Sequence, residues 1–408
     1  MAKNILILGG TGMQAESMVM DLLAIDTENI SGITLASRNE AALKARVEKL
    51  GDPRVRYMKL DMNDHDALVS AMKKHDLVMN TAASPTVFLG LFAALEAGVD
   101  LLGMADIAGP PFPGKPVPTD EWGHTRPEFI ADLSDKFEKA GLTCSLGWGY
   151  MPGTLNMIGR LTCDRFDTID SINFYIGTCC MGDSMFFSEC PGEVPLLYNL
   201  DSAPVYKDGR FTMINPMEDR EKMTFPDPIG EILCQHYPYM STIPDFVNDY
   251  ADKGVKNVDL RLGYWPGYLE KMDFLRSVGM LDMQPKEING VKIAPYTVFL
   301  SGPGVATHEG LNVEDYGCTS VVVEGMINGH KTRYCCEAMG RPIRGLGSMQ
   351  ILTGIPAAIG IQSYCKGLLT KKGLYTPQDK SIDPTAFLKE LGRRGFRIAT
   401  TGTEVLSD

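Results

Sequence analysis

Residues 10–15 near the start of the chain read Gly-Thr-Gly-Met-Gln-Ala and fit the pattern G-x-G-x-x-A. In this pattern Gly10 permits a tight turn, and Gly12 allows the backbone to approach a pyrophosphate. The small Ala15 lets the following helix pack on the preceding strand, and the positive N-terminus of that helix then faces the phosphates. The residues indicate a dinucleotide-binding turn, provided that a strand precedes it and a helix follows it.

Ser37 and Arg38 follow the next strand-like segment, at residues 32–36. A carboxylate at this place accepts a hydrogen bond from the ribose 2′-hydroxyl of NAD, whereas a hydroxyl and a guanidinium suit the 2′-phosphate of NADP. The pair therefore favours NADP and leaves NAD possible. An arginine that is simply solvated at a strand end would give the same pattern.

The strands and helices predicted around these residues support their interpretation as a dinucleotide-binding site. Helix-like segments separate predicted strands at residues 5–8, 32–36, 55–60, 77–80 and 100–104. Continuous apolar strands that alternate with helices are typical of a doubly wound parallel sheet buried on both faces. The sequence therefore predicts an α/β fold whose N-terminal part is a Rossmann-type domain over residues 1–150.

In such a sheet, ligands bind at the carboxyl ends of the strands. The small-residue loop after residue 80 would let the backbone approach the nicotinamide side of a dinucleotide. The predicted cofactor-binding residues are Gly10, Thr11, Gly12, Met13, Gln14, Ala15, Ser37, Arg38, Asp61, Met62, Thr81, Ala82, Ala83 and Pro85.

Composition argues against several other classes of protein. The 408 residues include 39 Lys+Arg and 51 Asp+Glu, a net charge of −12, and no basic run exceeds two residues. A nucleic-acid partner is therefore not expected. No apolar stretch approaches the roughly 20 residues of a membrane span, and no signal-peptide pattern opens the sequence, which predicts a cytoplasmic protein without a membrane partner. The ten cysteines form no C-x-x-C pair, which predicts buried thiols and no metal site.

The middle of the chain predicts a second, α+β domain with a mixed or antiparallel sheet over residues 151–350. A hairpin signal, Asn328-Gly329, joins two strand-like runs, and residues 206–211 predict another hairpin. Four prolines make the stretch 224–248 look irregular and loop-rich. The predicted strands lie at residues 171–177, 258–263, 319–327 and 331–337.

The order of these features resembles the saccharopine dehydrogenase family, which also includes lysine 6-dehydrogenases and carboxynorspermidine synthases. Residues 165–345 resemble the family only in layout. Where the family often has Asp before Pro-Gly, this chain has Met151, so a carboxylate that could bind a substrate amine is missing there. The matching segments are residues 10–15, 36–38, 60–61, the loop through Pro85, and residues 94–106, 139–153, 354–358 and 373–391.

The resemblance implies an NAD(P)-dependent oxidoreductase acting on CH–NH groups. Such an enzyme reduces an imine formed from an amine and a carbonyl compound, or oxidises an amine of the amino-acid or polyamine type. The resemblance also implies a homodimer, and a C-terminal helical segment over residues 351–408 that returns to pack on the first domain.

Hydride transfer of this kind needs a polar group beside the reacting nitrogen and anchors for the substrate. Asp106 is the first candidate for a catalytic residue because it ends a parallel strand beside the cofactor edge; a helix-capping role is the alternative. Tyr150, on the segment that leaves the first domain, is the second, and packing alone would explain it equally well. The predicted substrate-binding residues are Asp106, Trp148, Tyr150, Asn156, Arg261 and His308.

Three other classes of protein share some of these features with an imine reductase. A lysine 6-dehydrogenase-like enzyme shares every motif and differs only in substrate. A non-catalytic dinucleotide-binding regulator would have the same glycine-rich turn but would not need so large a second domain. A short-chain dehydrogenase is disfavoured, because no tyrosine of the chain begins a Tyr-x-x-x-Lys pair.

Overall fold

The computed structural model describes residues 2–25, 28–82, 86–107, 118–121, 125–181, 186–187, 202–237, 241–301, 305–306, 314–343 and 345–405. Two large sheets dominate this part of the chain, and helices cover them.

The strands are β1 (Lys3–Leu8), β2 (Ile30–Ser37), β3 (Val55–Lys59), β4 (Leu77–Asn80), β5 (Asp100–Gly103), β6 (Thr143–Leu146), β7 (Thr168–Met181), β8 (Phe186–Phe187), β9 (Ala203–Lys207), β10 (Arg210–Ile214), β11 (Glu221–Thr224), β12 (Glu231–His236), β13 (Asn257–Gly263), β14 (Lys286–Ile288), β15 (Val291–Ile293), β16 (Val305–Ala306), β17 (Glu314–Ile327), β18 (His330–Gly340), β19 (Gly373–Tyr375) and β20 (Arg397–Val405).

The α-helices are α1 (Met13–Ile25), α2 (Glu40–Leu50), α3 (His65–Met72), α4 (Val87–Ala97), α5 (Pro127–Lys139), α6 (Thr154–Cys163), α7 (Thr242–Asp249), α8 (Tyr268–Ser277), α9 (Pro295–Leu300), α10 (Ser348–Cys365) and α11 (Pro384–Arg393). A 3₁₀ turn spans Ala251–Lys253.

The first sheet is parallel, with the strand order β19-β6-β5-β4-β1-β2-β3 among the described residues. Residues 5–8 of β1 are fully buried because helices cover both faces of the sheet. The chain winds from β1 outward to β3 on one side and then returns to β4 on the other side of β1. The switch in direction leaves a crevice at the carboxyl ends of β1 and β4, where doubly wound sheets bind ligands. The predicted fold class is confirmed.

The second sheet is mixed, as predicted. β17 pairs antiparallel with both β7 and β18, while β13 runs parallel to β7. One face packs on α6 and α7, where the rings of Phe174 and Phe246 meet edge to face at 4.8 Å. The hairpin at Asn328-Gly329 joins β17 to β18, and residues 206–211 form the hairpin of β9 and β10.

The prediction that residues 224–248 are irregular is wrong for the part that the structure describes. This stretch contains β12 and α7, and β11 ends at its first residue. Pro226 and Pro228 fall in the turn between β11 and β12, and Pro244 lies in the first turn of α7. At these places a proline costs no backbone hydrogen bond, so the prolines are compatible with the strands and the helix beside them.

The end of the chain is also less helical than predicted. Besides α10 and α11 it contains β19, which joins the first sheet beside β6, and β20, which pairs with β18 at the edge of the second sheet. The segment 397–405 is rich in β-branched residues, which pack well on a pleated sheet. The C-terminal part of the chain, from residue 351 to residue 405, therefore contributes one strand to each sheet. Its helix α10 packs on α1.

Candidate functional site

The glycine-rich turn between β1 and α1 has the shape that a dinucleotide phosphate needs. The amide groups of Gly9 and Gly10 both donate to the carbonyl of Ala36, at 2.9 and 3.0 Å, which fixes the turn against β2. Gly9 has a φ of +80°, a left-handed value that favours glycine. A Cβ on Gly10 would lie 2.7 Å from the Cβ of Leu35, so any larger residue there would push the turn away from β2.

The first turn of α1 then points toward this crevice. Met13 and Gln14 are partly exposed, and Ala15, only 1% exposed, packs against the sheet. Free backbone N–H groups at a helix start attract anions. The predicted pyrophosphate site thus has the parts that it needs: the edge of the first sheet, the glycine-rich turn and the start of α1.

Arg46 of α2 binds the backbone of the glycine-rich turn, a contact that was not predicted from the sequence. Its guanidinium donates to the carbonyl oxygens of Gly12 at 3.1 Å and Thr11 at 3.4 Å, and it pairs with the buried Glu16 at 3.2 Å. Nothing in the local pattern marks Arg46, because it lies within an ordinary amphipathic helix.

A cavity of about 300 Å³ opens beside the turn, at the ends of β1, β2 and β3. The hydroxyl of Ser37 lies 3.1 Å from that of Thr11, so the two predicted residues are held together. Arg38 is exposed at the cavity. The cavity is lined by Leu8, Gly9, Ala36, Ser37, Arg38, Leu60, Asp61, Met62, Asn63, Ala82 and Thr86.

Asp61 is the carboxylate of this cavity. Hydrogen bonds from the backbone and side chain of Asn63, with the charge of Arg38, hold the pKa of Asp61 below its usual range. The ionised carboxylate can accept hydrogen bonds from a nucleoside, while Arg38 remains the cationic group available to a phosphate.

The loop after β4 is anchored to the end of β1. Both the amide and the hydroxyl of Thr81 donate to the carbonyl of Leu8, at 3.0 and 2.7 Å. The buried Asn80 accepts the amide of Ala82 at 3.0 Å, an anchor that the sequence reading missed. Ala83 and Pro85, also predicted to bind the cofactor, lie outside the described residues.

Asp106 is buried at the end of the first sheet and is bound from the second domain. One carboxylate oxygen, Oδ2, accepts the backbone amide of Ser241 at 3.2 Å and its hydroxyl at 2.8 Å. Both of these hydrogen bonds, which are those recorded for this side chain among the described residues, are accepted by Oδ2.

A second carboxyl group, that of Asp245, belongs to the same cluster. The amide of Gln378 donates to Asp245 at 3.0 Å, and the backbone amide of Asp245 donates to the carbonyl of Ser241 at 2.9 Å. Burial and the nearby charges of Asp249 and Asp106 raise the pKa of Asp245 from 3.8 to about 7. Neither Ser241, just before α7, nor Asp245, within it, was predicted, because this part of the sequence matches no motif.

Asn156 joins the cluster, and both polar atoms of its side chain bind other parts of the chain. It is fully buried at the start of α6, where its Oδ1 accepts the amide of Gly153 at 3.2 Å. Its Nδ2 donates to Oε1 of Gln378 at 3.2 Å. Asn156 therefore links α6 to the Asp245 cluster, and its predicted role as a carboxylate ligand is not supported by this geometry.

Trp148 and Tyr150 are core residues in this structure. Trp148 is 1% exposed, donates to the hydroxyl of Ser145 at 2.9 Å and packs beside Phe387. The prediction that it lines a substrate site is corrected, because its ring is enclosed between elements. Tyr150 is 3% exposed, and its hydroxyl lies 3.4 Å from the position of a Cβ on Gly317, at the junction with β17.

Arg261 was also predicted to bind a substrate carboxylate, and the structure contradicts this. It is buried in β13 and pairs with Asp259 at 2.7 Å, Glu221 at 3.1 Å and Asp219 at 3.3 Å. Three carboxylates already neutralise its charge. Burial raises the pKa of Asp259, but the hydrogen bond from His236 and the charge of Arg261 leave it below its usual range. His308 lies outside the described residues.

The cysteines of the described ranges are free thiols, and burial raises the pKa of Cys144 and Cys163. Among the same residues no group of three or more His, Cys, Asp and Glu side chains could hold a metal ion. No helix there is long and apolar enough to cross a membrane.

Residues 5–144 match the family model described as the saccharopine dehydrogenase NADP-binding domain. A carboxyaminopropylagmatine dehydrogenase from Synechocystis is 27% identical over 390 residues, which cover 90% of this chain and 91% of the relative. A carboxynorspermidine synthase from Vibrio alginolyticus is 21% identical over 411 residues, which cover 95% and 94%.

Solved structures show the same fold over the whole length. Apo saccharopine dehydrogenase (L-Glu forming) from Saccharomyces cerevisiae superposes with a TM-score of 0.76 at 19% identity, covering 98% of this chain and all of the other. Homospermidine synthase from Legionella pneumophila, in complex with NAD, gives a TM-score of 0.70 at 10% identity, covering 99% and 92%. Together with the dinucleotide-shaped crevice, these matches show that the chain is similar in sequence and fold to saccharopine dehydrogenase-like NAD(P)-binding oxidoreductases.

Proposed function

We propose that this chain prefers NADP(H) and reduces the imine formed between a primary amine of the polyamine or amino-acid type and a carbonyl compound. The observation that carries the proposal is the cavity at the ends of β1, β2 and β3. Its wall presents Ser37 and Arg38 where an NAD-selective site has a carboxylate.

The residues of this crevice fit a bound dinucleotide. The glycine turn and the start of α1 would hold the pyrophosphate, Ser37 and Arg38 the 2′-phosphate, and Thr81 and Ala82 the nicotinamide side. When bound, NADPH supplies the hydride for the imine carbon. The chain's own residues bind and orient the reactants and exclude water.

Asp106 supports an amine substrate in particular. Its Oδ2 is held by Ser241, which leaves Oδ1 to accept a hydrogen bond from an amine or iminium nitrogen. A carboxylate stabilises positive charge on such a nitrogen. The polyamine-related names of the relatives point to the same class of substrate.

Arg38→Ala tests the cofactor assignment. Charge-assisted hydrogen bonds of about 1.5–3 kcal/mol would be lost, which predicts a Kd for NADPH about 10- to 100-fold higher and a Kd for NADH close to the wild-type value. Both are measured by fluorescence titration. Arg56→Ala, an exposed arginine of β3 that does not line the cavity, is the matched control. Equal weakening of both cofactors by Arg38→Ala would refute the assignment.

The reaction itself is tested by NADPH oxidation with pairs of amines and carbonyl compounds. The amines are diamines, agmatine-like guanidines and lysine, and the carbonyl compounds are 2-oxo acids and semialdehydes. Turnover is expected only when an amine and a carbonyl compound are both present. Oxidation of NADPH by a carbonyl compound alone would indicate an alcohol-forming reductase and contradict the proposal.

We further propose that residues 1–150 bind the nucleotide and that residues 151–350 provide the substrate and dimerisation surfaces. The division is supported by the two separate sheets, although β19 and β20 tie the end of the chain to both. Light scattering at several protein concentrations tests the dimer: a mass near 89 kDa is expected from a protomer of 44.7 kDa, whereas a concentration-independent mass of 44.7 kDa would contradict it.

A further inference from the structure

Arg46 of α2 makes three polar contacts, and all of them are with the glycine-rich turn or the first turn of α1. Its Nη1 donates to the carbonyl of Gly12 at 3.1 Å. Its Nη2 lies 3.4 Å from the carbonyl of Thr11 and 3.2 Å from Oε2 of Glu16. The side chain of Arg46 is only 13% exposed, and that of Glu16 is 8% exposed. One cation, largely shielded from water, therefore joins the backbone of the turn to a carboxylate of α1.

The hydrogen bond to Gly12 sets the direction of the peptide group between Gly12 and Met13. In a planar trans peptide the C=O and N–H bonds point in opposite directions. Because the carbonyl of Gly12 points at Arg46, the amide of Met13 points away from Arg46. Met13 is the first residue of α1, and an amide at that position has no acceptor within the helix. Arg46 therefore fixes a donor that α1 itself does not use.

The carboxylate of Glu16 explains why a positive charge is needed at this place. Glu16 lies in the first turn of α1, next to the amides that we propose bind the pyrophosphate, and its negative charge repels an anion there. Its Oε2 pairs with Arg46 at 3.2 Å, and its Oε1 pairs with Nζ of Lys49 at 2.7 Å. Lys49 is 69% exposed, so water and salt screen its charge far more than that of Arg46. Arg46 is therefore the stronger counter-charge of Glu16.

We propose that Arg46 is a positioning residue for the pyrophosphate of the dinucleotide. It fixes the peptide group between Gly12 and Met13, and it offsets the charge of Glu16 beside the phosphates. The inference rests on the proposed binding of a dinucleotide in this crevice. It assigns to Arg46 the affinity for the part that NADPH and NADH share, and it leaves the choice between them to Ser37 and Arg38.

Arg46→Met tests the inference, because it keeps an unbranched side chain but removes the charge and every donor. Since both cofactors carry the pyrophosphate, the Kd for NADPH and the Kd for NADH should each rise about 10- to 100-fold. Both are measured by fluorescence titration of protein whose folding is verified by circular dichroism. Lys44→Met, at an exposed position of the same helix, removes the same charge and should leave both Kd values unchanged. Wild-type affinity of Arg46→Met for both cofactors would overturn the inference.

Two further variants separate this role from a contribution to stability alone. Arg46→Lys keeps the charge beside Glu16 but lacks the guanidinium fork that holds two carbonyl groups, so its Kd values should lie between those of the wild type and Arg46→Met. Glu16→Gln in the Arg46→Met chain removes the carboxylate left without its main counter-charge and should recover part of the affinity. A residue that only stabilised the fold would lower the free energy of unfolding and leave the Kd of the folded protein unchanged, which would contradict the positioning role.

A ligand without a pyrophosphate separates this inference from the proposed NADP preference. Adenosine 2′-monophosphate carries the 2′-phosphate alone, and its binding is measured by titration calorimetry. Arg46→Met should leave its Kd close to the wild-type value, whereas Arg38→Ala should raise it. If Arg46→Met weakens NADPH and adenosine 2′-monophosphate but not NADH, Arg46 acts on the 2′-phosphate and the inference fails while the NADP preference stands. A wild type that binds neither NADPH nor NADH would overturn the proposed function and this inference with it.

Discussion

Gly354 of α10 packs so closely on α1 that no side chain fits between the two helices. A Cβ at this position would lie 1.9 Å from the hydroxyl of Ser17 and 2.6 Å from the carbonyl of Gln14. The same Ser17 hydroxyl donates to the carbonyl of Gln350 on α10 at 2.5 Å. Because α1 starts at the glycine-rich turn, this contact joins the C-terminal part of the chain to the predicted phosphate site.

Gly354→Ala should therefore destabilise the protein and loosen cofactor binding together. Ser17 would have to rotate and lose its bond to α10, worth about 1 kcal/mol, and the backbone of α1 would have to shift, which costs about 1–3 kcal/mol. The expected loss in the free energy of unfolding is about 2–4 kcal/mol. It is measured by denaturant unfolding followed by fluorescence, with the Kd for NADPH titrated on the same samples.

Gly392→Ala is the matched control. Gly392 lies on the exposed side of α11, with nothing within 4 Å of an added Cβ, so alanine there should stabilise by about 0.5–1 kcal/mol. If Gly354→Ala unfolds at the same denaturant concentration as the wild type, the two helices do not pack as closely as the structure has them, and the reasoning is refuted.

Three further changes test the charged groups. Arg394→Met should lower the free energy of unfolding by about 3–5 kcal/mol, because it removes one partner of the buried Arg394–Asp21 ion pair, and Asp21→Asn in the same chain should restore part of this loss, as measured by denaturant unfolding. Arg261→Met should destabilise the protein in denaturant unfolding, because it removes the cation shared by three neighbouring carboxylates, while the KM for substrate stays unchanged; a raised KM at unchanged stability would return Arg261 to the substrate site. The pKa of Asp245 is raised in the folded state, so the folded protein binds a proton that the unfolded chain has already released. The free energy of unfolding of the wild type should therefore fall by up to about 4 kcal/mol as the pH rises from 4 to 7. Asp245→Asn should remove this pH dependence when unfolding is measured across the same range.

The nucleotide domain was predictable because each of its signals is local. The apolar run 5–8, the glycine turn and the alternation of strands and helices depend on residues near one another in sequence. The positions of Ser37 and Arg38 at the crevice follow from the same periodicity, since the carboxyl ends of parallel strands share one edge of the sheet.

The other half of the site could not be predicted because it is assembled from distant residues. Ser241 meets Asp106 across 135 positions of sequence, and Gln378 meets Asn156 across 222. No spacing rule connects such pairs. Trp148 and Arg261 were assigned wrongly for a related reason. The type of a residue shows that its side chain could bind a ligand, but it does not show that the side chain already packs on Phe387 or pairs with Asp259.

The transfer of deuterium from NADPH to the product tests whether the hydride reaches the carbon of a C=N bond. NADPH carrying deuterium at the transferable C4 position would be incubated with the protein and a reactive amine–carbonyl pair, and the product analysed by fragmentation mass spectrometry. We expect a secondary amine with one deuterium on the carbon that joins the carbonyl compound to the nitrogen. Deuterium on a carbon that bears a hydroxyl, or a secondary amine without deuterium, would contradict it.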